Sequence, residues 1–197
     1  MIDCIFIHIP KTGGTSIRRQ LGNHPNFKCY NHNPYERVMG QRKHLRNPHY
    51  VFTVVRNPWD RILSLYYFWK QQEVKHQFYK CDKRVVDHIK SIDMSFKQFV
   101  HGIQEKDPII MSKRHFLPYI GYYLPSLEPL DYIGRFENLQ QDFDKICDRI
   151  GIPHQQLPHK NKSNHKHYTE YYDDETKQIV AEKYALDIES FGYKFGE

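Results

Sequence analysis

Two short clusters in this sequence have the residue types and spacing of anion chemistry. The first is Pro10-Lys11-Thr12-Gly13-Gly14-Thr15-Ser16. Its two glycines allow a tight turn that aims backbone N–H groups inward. Lys11 brings a full positive charge, and Thr12, Thr15 and Ser16 bring hydroxyl donors. A Gly-Gly pair alone would describe an ordinary turn between strand and helix; the added lysine and hydroxyls point to a bound phosphate-type anion. The cluster is not a Walker A loop, because that motif places its lysine after the glycines and Lys11 precedes Gly13. No neighbouring carboxylate pattern offers a magnesium site. The second cluster pairs Arg56 with Ser64. If both follow one strand–helix junction, helical rotation turns Ser64 roughly 200° from Ile62 and away from the apolar face. Arg56 and Ser64 could then converge on one anion, the arginine by charge-assisted bonds and the serine by a neutral one. The competing assignment pairs Arg56 with Asp60 and leaves Ser64 merely tolerated.

The elements that must position these residues can be read from local pattern. Residues 2–9, Ile-Asp-Cys-Ile-Phe-Ile-His-Ile, form a short apolar, β-branched run that predicts a buried strand leading into the first cluster. Pro10 ends it, Gly13-Gly14 turns, and Thr15-Ser16 can cap a helix to Leu21, with Gly22 as its stop. The helix N-terminus adds partial positive charge to the cluster. Residues 27–30 predict a second short strand, followed by a polar turn over Asn31–Pro34. Residues 50–55, Tyr-Val-Phe-Thr-Val-Val, are apolar on both faces, as a central parallel strand should be, and end at Arg56. Asn57 suits an N-cap, Pro58 the first helical position and Asp60 the positive end of the dipole. Ile62, Leu65, Tyr66 and Trp69 then form one apolar face. Residues 71–93 read as a polar surface excursion. Further helices are expected over 95–104, 138–150 and 173–187, and a short strand over 131–134. Residues 158–167 read as a basic loop, and an aromatic tail, Phe191-Gly192-Tyr193-Lys194-Phe195, ends the pattern. Early strand–helix alternation followed by helices predicts an α/β fold, a three-layer sandwich with a central, mostly parallel sheet, as a single domain over 1–197.

The two clusters together resemble a known family. Phe6-Ile7-His8-Ile9-Pro10-Lys11-Thr12-Gly13-Gly14-Thr15-Ser16 is similar to the 5′-phosphosulfate loop of the sulfotransferases. Val55-Arg56-Asn57-Pro58-Trp59-Asp60-Arg61, with Ser64, is similar to their 3′-phosphate segment, and the two occur in the family's order. The wording is closer to the branch that modifies carbohydrates, including heparan-type and Golgi-type enzymes, than to the cytosolic phenol and steroid enzymes. Weaker likeness extends to Arg135-Phe136-Glu137-Asn138-Leu139, to Asn161-Lys162-Ser163 and to Asp187–Phe195, leaving residues 71–130 unmatched. The resemblance implies a P-loop-NTPase-like sulfotransferase fold and 3′-phosphoadenosine 5′-phosphosulfate (PAPS) as sulfuryl donor, without a metal. It implies that Lys11, Thr12, Gly13, Gly14, Thr15 and Ser16 hold the 5′-phosphosulfate and that Arg56 and Ser64 hold the 3′-phosphate. Lys11 would also stabilise the leaving oxygen. Lys162 and Ser163 could close over the nucleotide, the alternative being a solvated basic loop. The acceptor would be a hydroxyl, on a carbohydrate by the branch resemblance. Family members use His or Glu as base; His32, just after the second strand, is the first candidate, with His44 and Glu36 behind it. His8, inside the first strand, reads as structural. Tyr66-Tyr67-Phe68-Trp69 reads as core, while Tyr119, Tyr122 and Tyr123 lie where an acceptor site could be built.

Composition bounds these expectations. The chain has 197 residues, 29 Lys plus Arg against 23 Asp plus Glu, a net charge of +6, and 13 His. With 15 Tyr, 12 Phe and 2 Trp it can bury a real core, which excludes disorder. No apolar run approaches the ~18 residues of a membrane span, and Asp3, His8 and Lys11 break any signal-like opening. The four Cys are scattered without a CxxC pair, against a zinc ribbon or a disulfide scaffold and in keeping with a reducing compartment. An apolar strand starting at residue 2 leads to the expectation of a complete short cytoplasmic protein, the Golgi lumen being the alternative for a piece of a longer chain. Two other classes compete. A P-loop-like small-molecule kinase would need a magnesium site and a lysine after the glycines. A non-enzymatic binder of nucleic acid or another polyanion would need its cations in one stripe, yet acids are interspersed throughout, so no nucleic-acid partner is expected.

Overall fold

A computed structural model describes residues 3–40, 49–72, 79–125, 127, 130–158 and 165–197. The first half carries β1 (Asp3–His8), α1 (Gly14–Leu21), β2 (Phe27–Asn31), α2 (Tyr35–Gly40), β3 (His49–Val55) and α3 (Pro58–Lys70). The rest carries α4 (Tyr79–Ser91), α5 (Phe96–Gln104), β4 (Tyr132–Arg135), α6 (Leu139–Ile150), α7 (Asp174–Lys183) and α8 (Ala185–Phe191). The chain divides into two compact units, each made of two separate stretches: residues 1–56 with 117–162, and residues 57–116 with 163–197.

The first unit is built on a parallel four-stranded sheet in the order β2-β1-β3-β4. Parallel neighbours demand crossovers, and α1 supplies the one between β1 and β2. The registers pair Phe6 with Phe52, His8 with Asn31 and Val55 with Arg135, so all four strands end on one edge. That is the edge where ligands of open α/β sheets collect. On one face Cys4, Phe6, Phe27, Tyr50, Phe52 and Val54 pack against Ile17 and Leu21 of α1 and Phe143 and Ile146 of α6. Ile5, Ile7, Val51 and Val55 of the other face are buried as well, which is why β1 and β3 read as continuous apolar runs. On α6, burial opposes ionisation of the Asp142 carboxyl. Bonds from the Arg135 N–H at 2.6 Å, Lys145 and the Tyr132 hydroxyl outweigh that burial and lower its pKa. Asp142 thereby anchors the end of β4 to α6.

The second unit is helical. Asn57 caps α3 by accepting from the Trp59 N–H at 3.1 Å, with Pro58 and Asp60 in the first turn, as the sequence implies. The helix is buried on more than one face: Arg61, Leu63 and Ser64 are as enclosed as Ile62, Leu65 and Trp69. Two expectations are corrected here. The polar stretch 71–93 holds helix α4, whose Val85, Val86 and Ile89 enter the core while Lys83, Arg84 and Lys90 face outward. The single helix over 173–187 is two, broken at Tyr184, whose buried hydroxyl donates to the Phe116 carbonyl at 2.8 Å. Phe195 of the tail packs edge-on against Trp59, Tyr168 and Tyr172. In the first unit a short helix, α2, follows the turn at Pro34, where the sequence pattern signals none.

Candidate active site

The residues that immediately follow the four strands of the first unit make up the candidate site: the loop 9–13 after β1, His32 after β2, Arg56 after β3 and Phe136 after β4. Within the loop, Lys11 (φ 68°) and Gly13 (φ 81°) both take left-handed backbone. Gly13 is the N-cap of α1, so the helix begins at Gly14, ahead of the cap expected at Thr15-Ser16. The two glycines are required for different reasons. At Gly13 a Cβ would be strained by φ and would lie 2.7 Å from Leu139 Cδ2 and 3.1 Å from the Phe136 ring. At Gly14 it would lie 2.1 Å from His8 Cδ2. The imidazole of His8 thus lies directly against the start of α1, buried at 5% exposure and stacked on Phe6.

The hydroxyls divide their work. Thr12 is buried and donates to the Ile9 carbonyl at 2.9 Å, closing the loop on itself. Ser16 donates to the Pro158 carbonyl at 2.9 Å. Both O–H protons are therefore engaged inside the protein, and Thr15 is the exposed hydroxyl of the cluster. Lys11 is half-buried, and burial together with the neighbouring Arg56 charge lowers its pKa to about 7.

Arg56 is held from three directions. Its backbone N–H donates to the Tyr119 hydroxyl at 3.2 Å, and that hydroxyl donates back to the Arg56 carbonyl at 2.9 Å. Its Nη1 donates to the Lys11 carbonyl at 3.2 Å, so the arginine meets a loop 45 residues earlier in the chain. Its guanidinium carbon stands 3.9 Å from the centroid of the Phe136 ring.

His32 has φ 51°, and its ring meets that of His8 edge-on, centroids 4.9 Å apart. Glu36 is exposed on the first turn of α2. Ser64 is buried on α3, in the second unit. His44, Lys162 and Ser163 lie outside the described residues. Tyr119 and Tyr123 are fully buried, so neither offers a face for sugar stacking; Tyr119 serves instead as the backbone clamp of Arg56. Sequence reasoning missed this clamp and the role of Phe136. Nothing local marks the first, whereas the second could have been suspected from its place directly after a strand of the parallel sheet.

Chemically, the arrangement offers two cations, a helix N-terminus and left-handed loop backbone, the features of a polyanionic ligand site, with an imidazole on the same edge of the sheet. The chain matches the Sulfotransferase family over residues 3–194. It is 26% identical over 172 residues to carbohydrate sulfotransferase 14 of Danio rerio, covering 77% of this chain and 46% of that protein. It is 28% identical over 111 residues to an uncharacterized protein of Archaeoglobus fulgidus, covering 56% of this chain and 75% of that one. The chain thus spans just under half the length of the Danio rerio relative. Among solved structures it is similar to mouse sulfotransferase SULT7A1 complexed with PAP. The TM-score is 0.43 and the identity 12%, over 92% of this chain and 84% of that one.

Proposed function

The chain belongs to the sulfotransferase family, and from that premise we propose that it transfers a sulfuryl group from PAPS to an acceptor hydroxyl, with residues 1–197 acting as one functional domain. The observation that carries the reading is the 3.2 Å bond from Arg56 to the Lys11 carbonyl, which sets the arginine against the lysine-glycine loop on the ligand edge of the sheet. In this reading the loop from Lys11 to Ser16 takes the 5′-phosphosulfate through Lys11, Thr15 and backbone N–H groups at the start of α1. Thr12 and Ser16 shape that loop. Arg56 takes the 3′-phosphate, to which Ser64, Lys162 and Ser163 are assigned by family resemblance alone. A half-buried lysine and a buried arginine side by side bring to this edge the positive charge that such an anion requires.

The transfer breaks the bond between sulfur and the oxygen that bridges it to phosphate. The electron pair stays on that oxygen, leaving adenosine 3′,5′-bisphosphate. The acceptor oxygen forms the new S–O bond, and its proton passes to a neutral imidazole nitrogen of His32. Lys11 stabilises the charge that builds on the leaving oxygen, and the loop holds the reacting atoms in line. Lys11 and His32 are two of the four non-glycine residues with positive φ among those described. Backbone strain of this kind, which costs on the order of 1–3 kcal/mol, concentrates at functional sites. A carbohydrate acceptor is supported by the name of the Danio rerio relative and by the net charge of +6, which suits an acidic saccharide. That neither compact unit is a continuous stretch supports the single functional domain.

Thermal unfolding with adenosine 3′,5′-bisphosphate, and separately with ATP and magnesium, tests the reading. The bisphosphate at 100 times its dissociation constant should add about 2.7 kcal/mol. Lys11→Ala and Arg56→Ala should each abolish that gain. His32→Ala should keep it while removing transfer of labelled sulfate from PAPS. Stabilisation by ATP and magnesium alone would overturn the assignment in favour of a kinase, and normal turnover by the His32 variant would move the base elsewhere.

A further inference from the structure

The Phe136 ring touches both halves of the anion site. It begins the short 3-10 turn between β4 and α6, and its approach is set by Asp142, which holds the Arg135 N–H at 2.6 Å and the Tyr132 hydroxyl at 2.8 Å. The ring face lies under the Arg56 guanidinium, 3.9 Å from carbon to centroid. Its edge abuts Gly13, where any Cβ would come within 3.1–3.3 Å of Cδ2 and Cε2. The geometry points to Phe136 as a positioning residue: a shelf that fixes the Arg56 guanidinium so that it meets the donor's 3′-phosphate. The inference rests on the proposed reading of Arg56 and adds a residue to it.

The physical reasons are three. A ring face attracts a cation through its quadrupole without taking any of its hydrogen bonds. Guanidinium donors lie in the plane of the group, so contact through the flat face takes up none of them; one reaches the Lys11 carbonyl. A long, rotamer-rich side chain held in place before the ligand arrives forfeits less entropy on binding.

The test is the ratio of two dissociation constants, measured by calorimetry well below the melting temperature: adenosine 5′-monophosphate over adenosine 3′,5′-bisphosphate. The wild type should favour the bisphosphate. Phe136→Leu, which keeps an apolar side chain beside Gly13 and removes the ring face, should shrink that preference about tenfold. It should also raise KM for PAPS by a similar factor at kcat within about twofold. Phe136→Tyr retains the face and should restore both values. General damage to the loop would weaken both nucleotides equally and leave the ratio unchanged. Full preference in the leucine variant, or an equal loss in the tyrosine variant, would overturn the shelf alone. A wild type with no preference for the bisphosphate would overturn the donor reading, and the shelf with it.

Discussion

Lys11 combines a left-handed backbone, a half-buried ammonium and a pKa lowered to about 7, so its charge is at its most responsive near neutral pH. An anionic ligand selects the protonated form. Above pH 7 the bisphosphate is fully ionised, its second phosphate pKa values lying near 6, so any further loss of affinity with pH comes from the protein. The dissociation constant of adenosine 3′,5′-bisphosphate should therefore rise with pH above about 7, approaching tenfold per unit, in calorimetry between pH 6 and 9. Lys11→Arg should flatten that slope, because a guanidinium keeps its charge throughout. For stability the sign is opposite. The unfolded chain keeps this proton up to about 10.5, so between about 7 and 10.5 the unfolded state binds more protons. The cost of burying the Lys11 charge is then relieved progressively as pH rises through that window. The thiols of Cys4 and Cys147, by contrast, are pushed up by burial to about 12 and 11 and stay protonated and inert.

At the scale of elements, the close approach of β1 to α1 is set by a histidine against a glycine. Gly14→Ala would drive a methyl into the His8 ring, which is already stacked on Phe6 and edge-on to His32. The expected cost is about 1–3 kcal/mol in urea unfolding, and the double variant His8→Ala/Gly14→Ala should recover most of it. An equal loss in the single and double variants would show that the helix start, and not His8, sets the requirement. The legibility of elements follows from their surroundings. β1, β3 and α3 carry their own signals, in β-branched apolar runs and an Asn-Pro cap, and appear where the sequence puts them. Helix α4 hides its three core residues among charges, and only contact with other helices of the second unit makes that stripe matter. The break between α7 and α8 has no breaker residue; it exists because Tyr184 is drawn inward to the Phe116 carbonyl.

For the whole molecule, the interleaving of the two units has a consequence for truncation. Ile179, Val180 and Tyr184 come from the last stretch of chain yet lie in the core of the second unit beside residues of α3, α4 and α5. At about 1.5–3 kcal/mol for each large apolar side chain, their removal rivals the 5–15 kcal/mol that holds a typical domain. Deleting residues 174–197 should therefore abolish hydrogen-exchange protection along α3 and α5. Retained protection would show that α3–α5 form a self-sufficient bundle. No helix among the described residues is long and apolar enough to cross a membrane.

By itself the sequence determined which charged and hydroxyl side chains are on offer and the strands that present them. A lysine and two glycines after an apolar run, and an arginine after another, are local patterns whose meaning survives without a fold. Tertiary structure decided how those groups are set: the Tyr119 clamp 63 residues from Arg56, the Phe136 ring against its guanidinium, the contact of His8 with Gly14 and the inward hydroxyls of Thr12 and Ser16. These depend on strand register and crossover. Both are settled by which faces bury together, and no window of sequence contains that information.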